Sequence, residues 1–321
     1  MTAQAVFAGQ GSPWLVGRRF DLTWLFGGAL LGLGAASVAL AFPIVIVPLW
    51  WAWVALSDAP HMLATYTRTY FDPAMRRERG LLLWGSLGLL LVGPAMLALS
   101  VVTKSDDIFL LFLAFAATYG VYHVTRQHYG FLALYKSKAK DRSPLGYQLD
   151  KWCLYTACWA PYGYFILSHP RARAAMGLVP DQVSPLAYVC AAAWALSIVV
   201  FCAHAWRSGE TSGPKIGYAL LTMGVHGLAY FAFGRFEPVY AASQGPDQDF
   251  LLLTVLLSTF HNTQYVALVH LHNRSRYAAA DGAGRALPWL SRSVWRFIAL
   301  SLLFALVYVP LATSTGVFPV L

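Results

Sequence analysis

The sequence predicts an all-α protein: a polytopic bundle of about nine membrane-spanning helices. Three observations predict it, namely an apolar composition, nine long apolar stretches, and a lopsided distribution of basic residues between the loops. Of 321 residues, 58% are apolar and 12% charged, against about 25% charged in a soluble domain. The chain carries 12 Trp, 17 Tyr and 19 Phe, and its mean hydropathy is +0.54. A water-soluble fold of this size has too little interior for that much apolar surface. Disordered, fibrous and disulfide-stapled chains are excluded by composition, and a soluble enzyme is disfavoured.

A spanning helix needs about 20 mostly apolar residues, because the hydrocarbon layer is about 30 Å thick. Nine stretches qualify: 22–42, 44–67, 80–102, 108–135, 152–168, 184–206, 216–233, 250–272 and 297–316. Helices satisfy their own backbone groups in lipid, and nothing alternates like barrel strands. Pro43 separates the first two stretches. Asp72-Pro73, Ser143-Pro144, Gly213-Pro214 and Gly245-Pro246 mark later loops. The loops leave no room for a soluble domain, so residues 1–321 read as one integral membrane domain. Residues 1–17 form a loose or interfacial start, without the basic n-region of a cleavable signal peptide, and 277–291 is a second loose segment. Cys153, Cys158, Cys190 and Cys202 all sit in apolar stretches without zinc-type spacing and read as packing residues.

The net charge of +9 raises nucleic-acid binding as a function. Loop counting removes it. With the N-terminus inside and nine spans alternating, 18 of the 23 Lys and Arg fall inside and four outside, with Arg126 inside a span. That is the positive-inside rule. It places the N-terminus in the cytoplasm and Leu321 outside a bacterial-type inner membrane. Trp50, Trp51 and Trp53 read as part of an aromatic belt.

Polar residues within spans are costly, about 2.5–3.5 kcal/mol each at the helix centre, and point to function. Seven of the nine His fall within or at the end of a span: His61, His123, His128, His226, His261, His270 and His272. His169 belongs to a loop and His204 to a helix end. Helices two, four and eight run inward. Counted from the inner basic flank at 1.5 Å per residue, His61 lies about 10 Å deep, His128 about 12 Å, His226 about 16 Å, and His123 and His261 about 20 Å. Histidines from four helices therefore converge on the inner half of the bilayer. All seven are candidate metal ligands, although His123 and His128 leave a regular helix about 140° apart. His270 and His272 lie near the inner surface, and only His272 shares the His261 face.

Three further side chains are candidate catalytic groups. Asp58 shares a stripe with His61, Thr65 and Arg68, and suits a ligand, an imidazole partner, or a cap ahead of Pro60. Tyr119 and Arg126 share the His123 face with Gln127. An imidazole-rich set with at most one carboxylate suits Fe, Cu or Zn. Hydrolase, phosphate-loop and dinucleotide motifs are absent, and Glu78, Glu210 and Glu237 all fall in loops. Iron, as Fe2+ in a mononuclear or dinuclear site, is therefore expected ahead of zinc or copper. The expected function is an oxygenase- or desaturase-type oxidoreductase. Its expected partners are membrane lipids, a hydrophobic small-molecule substrate and an electron-donor protein. A haem electron-transfer protein and a proton- or metal-coupled transporter are the alternatives.

The pieces Pro60-His61, Tyr122-His123 and His270-Leu271-His272-Asn273-Arg274 resemble the bacterial membrane β-carotene 15,15′-dioxygenase family related to bacterio-opsin-associated proteins. Met62 stands where that family has Gly after Pro-His. The resemblance implies a polytopic fold, intramembrane His ligands for non-haem iron, and a carotenoid substrate cleaved to retinal. It carries over to His61, His123, His128 and His261. More broadly, His123-x4-His128 and His270-x-His272 are similar to the His boxes of membrane fatty-acid desaturases and hydroxylases, which hold two irons.

Overall fold

The computed structural model describes residues 12–140, 143–169, 180–233, 248–277 and 286–314. Among them every regular element is a helix. In chain order these are α1 (Arg18–Ala41), α2 (Pro43–Arg68), α3 (Pro73–Thr103), α4 (Asp107–Lys138), α5 (Pro144–Ser168), α6 (Pro180–Arg207), α7 (Gly213–Phe231), α8 (Gln248–Tyr277), the short α9 (Ala286–Ser291) and α10 (Val294–Ser314). Six of them, α1, α2, α3, α4, α6 and α8, are long and apolar enough to cross a membrane. The remaining expected spans coincide with α5, α7 and α10, which are helical but shorter or more polar. Residues 1–11, the loop cations Arg142, Arg171, Arg173, Arg235 and Arg285, Glu237 and the Gly245-Pro246 turn lie outside the described residues.

The helix starts follow local chemistry. Pro stands in the first turn of α2, α3, α5 and α7, where its missing N–H is no loss. Ser143 Oγ caps α5 at Gly146 N. In α2 the turn over Val54–Asp58 opens to π spacing, just where the Pro60 ring would crowd the Leu56 carbonyl of a regular helix.

The chain divides into two compact units. The first comprises Trp51–Gly120 and Asn262–Leu321. Its core joins Leu63 and Ala64 of α2 to Val269 of α8, Leu290 of α9 and Phe297 of α10. Two amide bonds reinforce the α2–α8 contact: Asn262 Nδ2 donates to Ser57 Oγ at 3.1 Å and Asn273 Nδ2 to Thr67 Oγ1 at 3.0 Å. Asp72 caps α3, accepting from Ala74 N at 2.8 Å, and pairs with Arg68 at 3.4 Å and Arg276 at 3.5 Å. Burial opposes its ionisation. Hydrogen bonds from Tyr277 and Ala74 N–H, with the Arg276 charge, outweigh burial and hold the carboxyl below the ordinary range. Much of α3 presents bare leucine, with Leu81 92% exposed, a face that only lipid or another apolar partner would cover.

The second unit comprises Phe7–Trp50 and Val121–His261. Its core gathers Tyr129 and Leu132 of α4, Cys153, Leu154, Ala157 and Cys158 of α5, Phe201 of α6, and Ala219 and Met223 of α7. Cys153 and Cys158 pack there as expected, whereas Cys190 is half-buried and Cys202 exposed; all four are free thiols. Two close approaches set helix spacing. A Cβ on Gly32 of α1 would lie 2.5 Å from the Leu256 carbonyl oxygen of α8, and one on Gly227 of α7 2.5 Å from the Trp194 ring of α6. Trp194 Nε1 also donates to the Met223 carbonyl at 3.0 Å.

The first of these contacts gives a matched test. Gly32→Ala forces α1 off α8 and should cost about 1–3 kcal/mol, the usual overpacking range. Gly34→Ala, at a position with nothing within 4 Å, should leave stability unchanged or raise it by helix propensity, about 0.5–1 kcal/mol. Thermal melting in one detergent compares them. Equal melting of both variants would show that the α1–α8 approach is not tight.

Candidate metal centre

α4 runs as an unbroken α-helix through Tyr119–Gly130, so its histidines leave it on different sides. His123 meets His261 of α8, with ring centroids 4.8 Å apart and planes at 67°. His128 instead meets His226 of α7, with centroids 5.5 Å apart and planes at 87°. The separation of about 140° expected from the five-residue spacing is what divides them, since no kink brings the two rings together.

The His123–His261 pair is held in register by Gln127. One turn beyond His123, its Nε2 donates to the His261 carbonyl at 2.7 Å. His261 is 2% exposed, whereas His123 stands on an exposed face. Tyr122, 43% exposed, adjoins it. Such a pair sets a buried imidazole, His261, behind an exposed one, His123.

His61 lies in the first unit, on α2 just past the π turn, and its ring packs 4.7 Å from Tyr265. Tyr265 stands on α8 one turn beyond His261, and α8 is one continuous helix through both residues. Among the described residues, His61, His123 and His261 make a histidine group that could bind a metal ion. Three neutral imidazoles fit Fe, Cu or Zn and do not fit Mg or Ca.

The other expected site residues fall elsewhere. Asp58 accepts from Tyr308 OH at 2.9 Å, within the first unit. Arg126 is exposed, and donates to Tyr155 OH at 3.4 Å. Tyr119 is 57% exposed and stacks on Phe115 at 6.3 Å. His270 packs against Phe297 at 5.9 Å. His272 has a buried Nε2 without a hydrogen bond. His169 lies beside Phe165 at 4.8 Å, and His204 near Gly146.

No match was found among protein-family models, characterised proteins or solved structures.

Two polar centres in the second unit escape a reading of the sequence. Asp21 is fully buried, accepting from Leu15 N at 2.7 Å, Val16 N at 3.1 Å and Tyr135 OH at 2.8 Å. It stands at the edge of the first span, where an Asp after two Arg reads as flank. The one signal for it is its place on the apolar side of Arg18 and Arg19. The second centre gathers Lys136, Asp150, Glu210 and Lys215. Lys136 lies 3.3 Å from Asp150, and Lys215 lies 2.9 Å from both Asp150 and Glu210. Burial opposes the Lys215 charge, but its bonds to Asp150 and Glu210 outweigh burial and hold the ammonium above the ordinary lysine range. Counting these residues as loop charges hides their mutual neutralisation.

Gln127→Leu keeps the side-chain bulk and removes the bond to His261. It should cost about 0.5–1.5 kcal/mol, read as a lowered melting temperature in detergent. Melting equal to that of the parent protein would show that this bond does not set the α4–α8 register.

Proposed function

We propose that the chain is an integral membrane, non-haem iron oxidoreductase in which His61, His123 and His261 hold the metal. Its substrate is a lipid-soluble molecule of isoprenoid or fatty-acyl type. The observation that carries this is the His123–His261 pair, buried on one side and exposed on the other, with His61 packed one turn along the same helix. Iron in such a site supplies oxygen and one-electron chemistry. The protein's own residues do the rest. Gln127 fixes the height of His261 against α4. Tyr265 limits the rotation of the His61 ring. The exposed face of α4, with Tyr119, Tyr122 and Arg126, offers flat aromatic surface and one cation to a substrate arriving from the bilayer. The Tyr308 hydroxyl keeps Asp58 hydrogen-bonded, which leaves an imidazole-only donor set, suited to iron.

Contacts inside each unit support nine spans. In the first unit, Ser57 meets Asn262 and Thr67 meets Asn273. The order ascends on both helices, so α2 and α8 run parallel, and an odd number of spans must separate them. The helices α3, α4 and α6 make three, so α5 and α7 cross together or not at all. In the second unit, the Lys136–Asp150–Lys215–Glu210 cluster joins the α4–α5 loop to the α6–α7 loop. Hence α5 departs from that end and α6 returns to it. With 25 residues, α5 is about 37 Å long, enough to cross in full. α7 then crosses too, and α10 is the ninth span. With the basic loops inside, the N-terminus is cytoplasmic and Leu321 external.

Purified protein should carry iron in fixed proportion to chain, and His61→Ala, His123→Ala and His261→Ala should each lose most of it while remaining folded. Folded, active, metal-free protein would sink the assignment. A Soret band at about 400–420 nm would replace it with haem electron transfer. For topology, a reporter fused after Leu321 should be active only outside. Cytoplasmic activity would mean an even number of spans.

A further inference from the structure

We infer that His128 and His226 form a second metal site, separate from the His61–His123–His261 group and suited to a monovalent soft cation, Cu(I). Both rings are closed to solvent, at 0% and 1% exposed, and they face each other from α4 and α7 at 5.5 Å between centroids. Each has an oxygen at its inner nitrogen. His226 Nδ1 lies 3.0 Å from the Thr222 carbonyl. A carbonyl only accepts, so this nitrogen carries the proton and the lone pair of the neutral ring sits on Nε2. His128 Nδ1 lies 2.9 Å from Tyr218 OH, and its Nε2 is buried without a hydrogen bond.

Oxygen at Nδ1 with the far nitrogen left for a ligand is the arrangement of metal-bound imidazole, in which the outer partner fixes tautomer and ring orientation. A neutral His–His hydrogen bond would instead occupy His128 Nε2, and that bond is not made. Leaving the nitrogen buried and unpaired is costly, and a bound cation removes that cost.

The surroundings choose the cation. Phe260 covers the His128 ring at 4.6 Å, and the Tyr218 ring lies 6.2 Å from it. No carboxylate touches either histidine in these contacts. Asp21 stands beyond Tyr135, to which it is hydrogen-bonded and whose ring lies 5.5 Å from that of Tyr218. Two neutral ligands leave a divalent ion with its full double charge in an apolar interior, whereas a monovalent ion leaves one charge, and the cost of burial rises with the square of the charge. Imidazole suits copper, and Cu(I) tolerates few ligands.

The experiment loads the full-length protein, purified in detergent, with Cu(I) under anaerobic conditions against a chromophoric Cu(I) chelator. One equivalent should be retained. It should be lost from His128→Gln and His226→Gln and kept in His123→Ala and His61→Ala. Tyr218→Phe, which preserves the ring packing, should weaken retention about 10–100-fold, the usual effect of removing an outer partner, and it carries the test if the histidine variants fail to fold. X-ray absorption should show imidazole nitrogen in low coordination number. Retention of no Cu(I) by the parent protein overturns the site. So does an equivalent that survives His226→Gln and Tyr218→Phe but is lost from His123→Ala, and this would place the copper at the first group. Iron content is read on the same samples, so failure of the copper site and failure of the iron assignment are distinguishable.

Discussion

The bond from the Gln127 amide to the His261 carbonyl is the contact on which the second unit's chemistry depends. In hydrocarbon a polar side chain has no water to fall back on, so hydroxyls bond to carbonyls of their own helix, as Thr125 does to Val121, or find a partner on another helix, as the Gln127 amide does. Gln127 finds one on the same carbonyl level as the imidazole it positions. A slip of α8 by one residue would break that bond and turn His261 away from His123 by about 100°. Ser57 with Asn262 and Thr67 with Asn273 do the same for α2 against α8 in the first unit. Apolar side chains give these helices area to bury, but they permit many registers. The few amides and hydroxyls select one.

What is legible in the amino-acid sequence follows from this division. Span positions depend on apolar length, and each of the nine expected stretches falls on a helix among the described residues, six of these helices being long and apolar enough to cross a membrane. Depth in the membrane depends on counting residues from a charged flank, and that count alone sets His123 and His261 at equal height. Azimuth between helices is another matter. It depends on which face of each helix turns toward which neighbour, and no count along one chain supplies that. His128 and His226 are close in expected depth to His123 and His261, so by depth the four read as one site. Helix geometry places His123 and His128 about 140° apart, and the unbroken α4 keeps them so.

Arg126 shows the same limit. Its depth favours a carboxylate partner, and Asp58 is the nearest in height. Height says nothing of exposure. Arg126 stands on an exposed face with Tyr155 OH, and a long guanidinium on a lipid-facing helix can extend its head along the surface. Among the described residues the buried Asp and Lys are instead Asp21, Asp72, Lys136, Asp150 and Lys215, all near helix ends. There the next turn offers backbone N–H groups or an opposite charge, and the cost of burial is met by several short bonds at once.

The two histidine pairs of the second unit are kept apart by their neighbours on α8. His261 faces His123, and the preceding residue, Phe260, covers His128. Successive residues on a helix differ by about 100°, so one turn of α8 presents an imidazole to one side of α4 and a phenyl ring to the other. The phenyl ring offers no ligand and admits no water, so the His128–His226 pair is closed from that direction. It is also sealed by Tyr218, whose hydroxyl is engaged with the His128 ring. His123, by contrast, stands on an exposed face. One pair thus has an exposed ring and the other is closed on every described side. On the proposed function, substrate chemistry belongs at the first. A cation held at the second would exchange slowly and touch no substrate, which suits a structural or electron-storing ion better than a catalytic one.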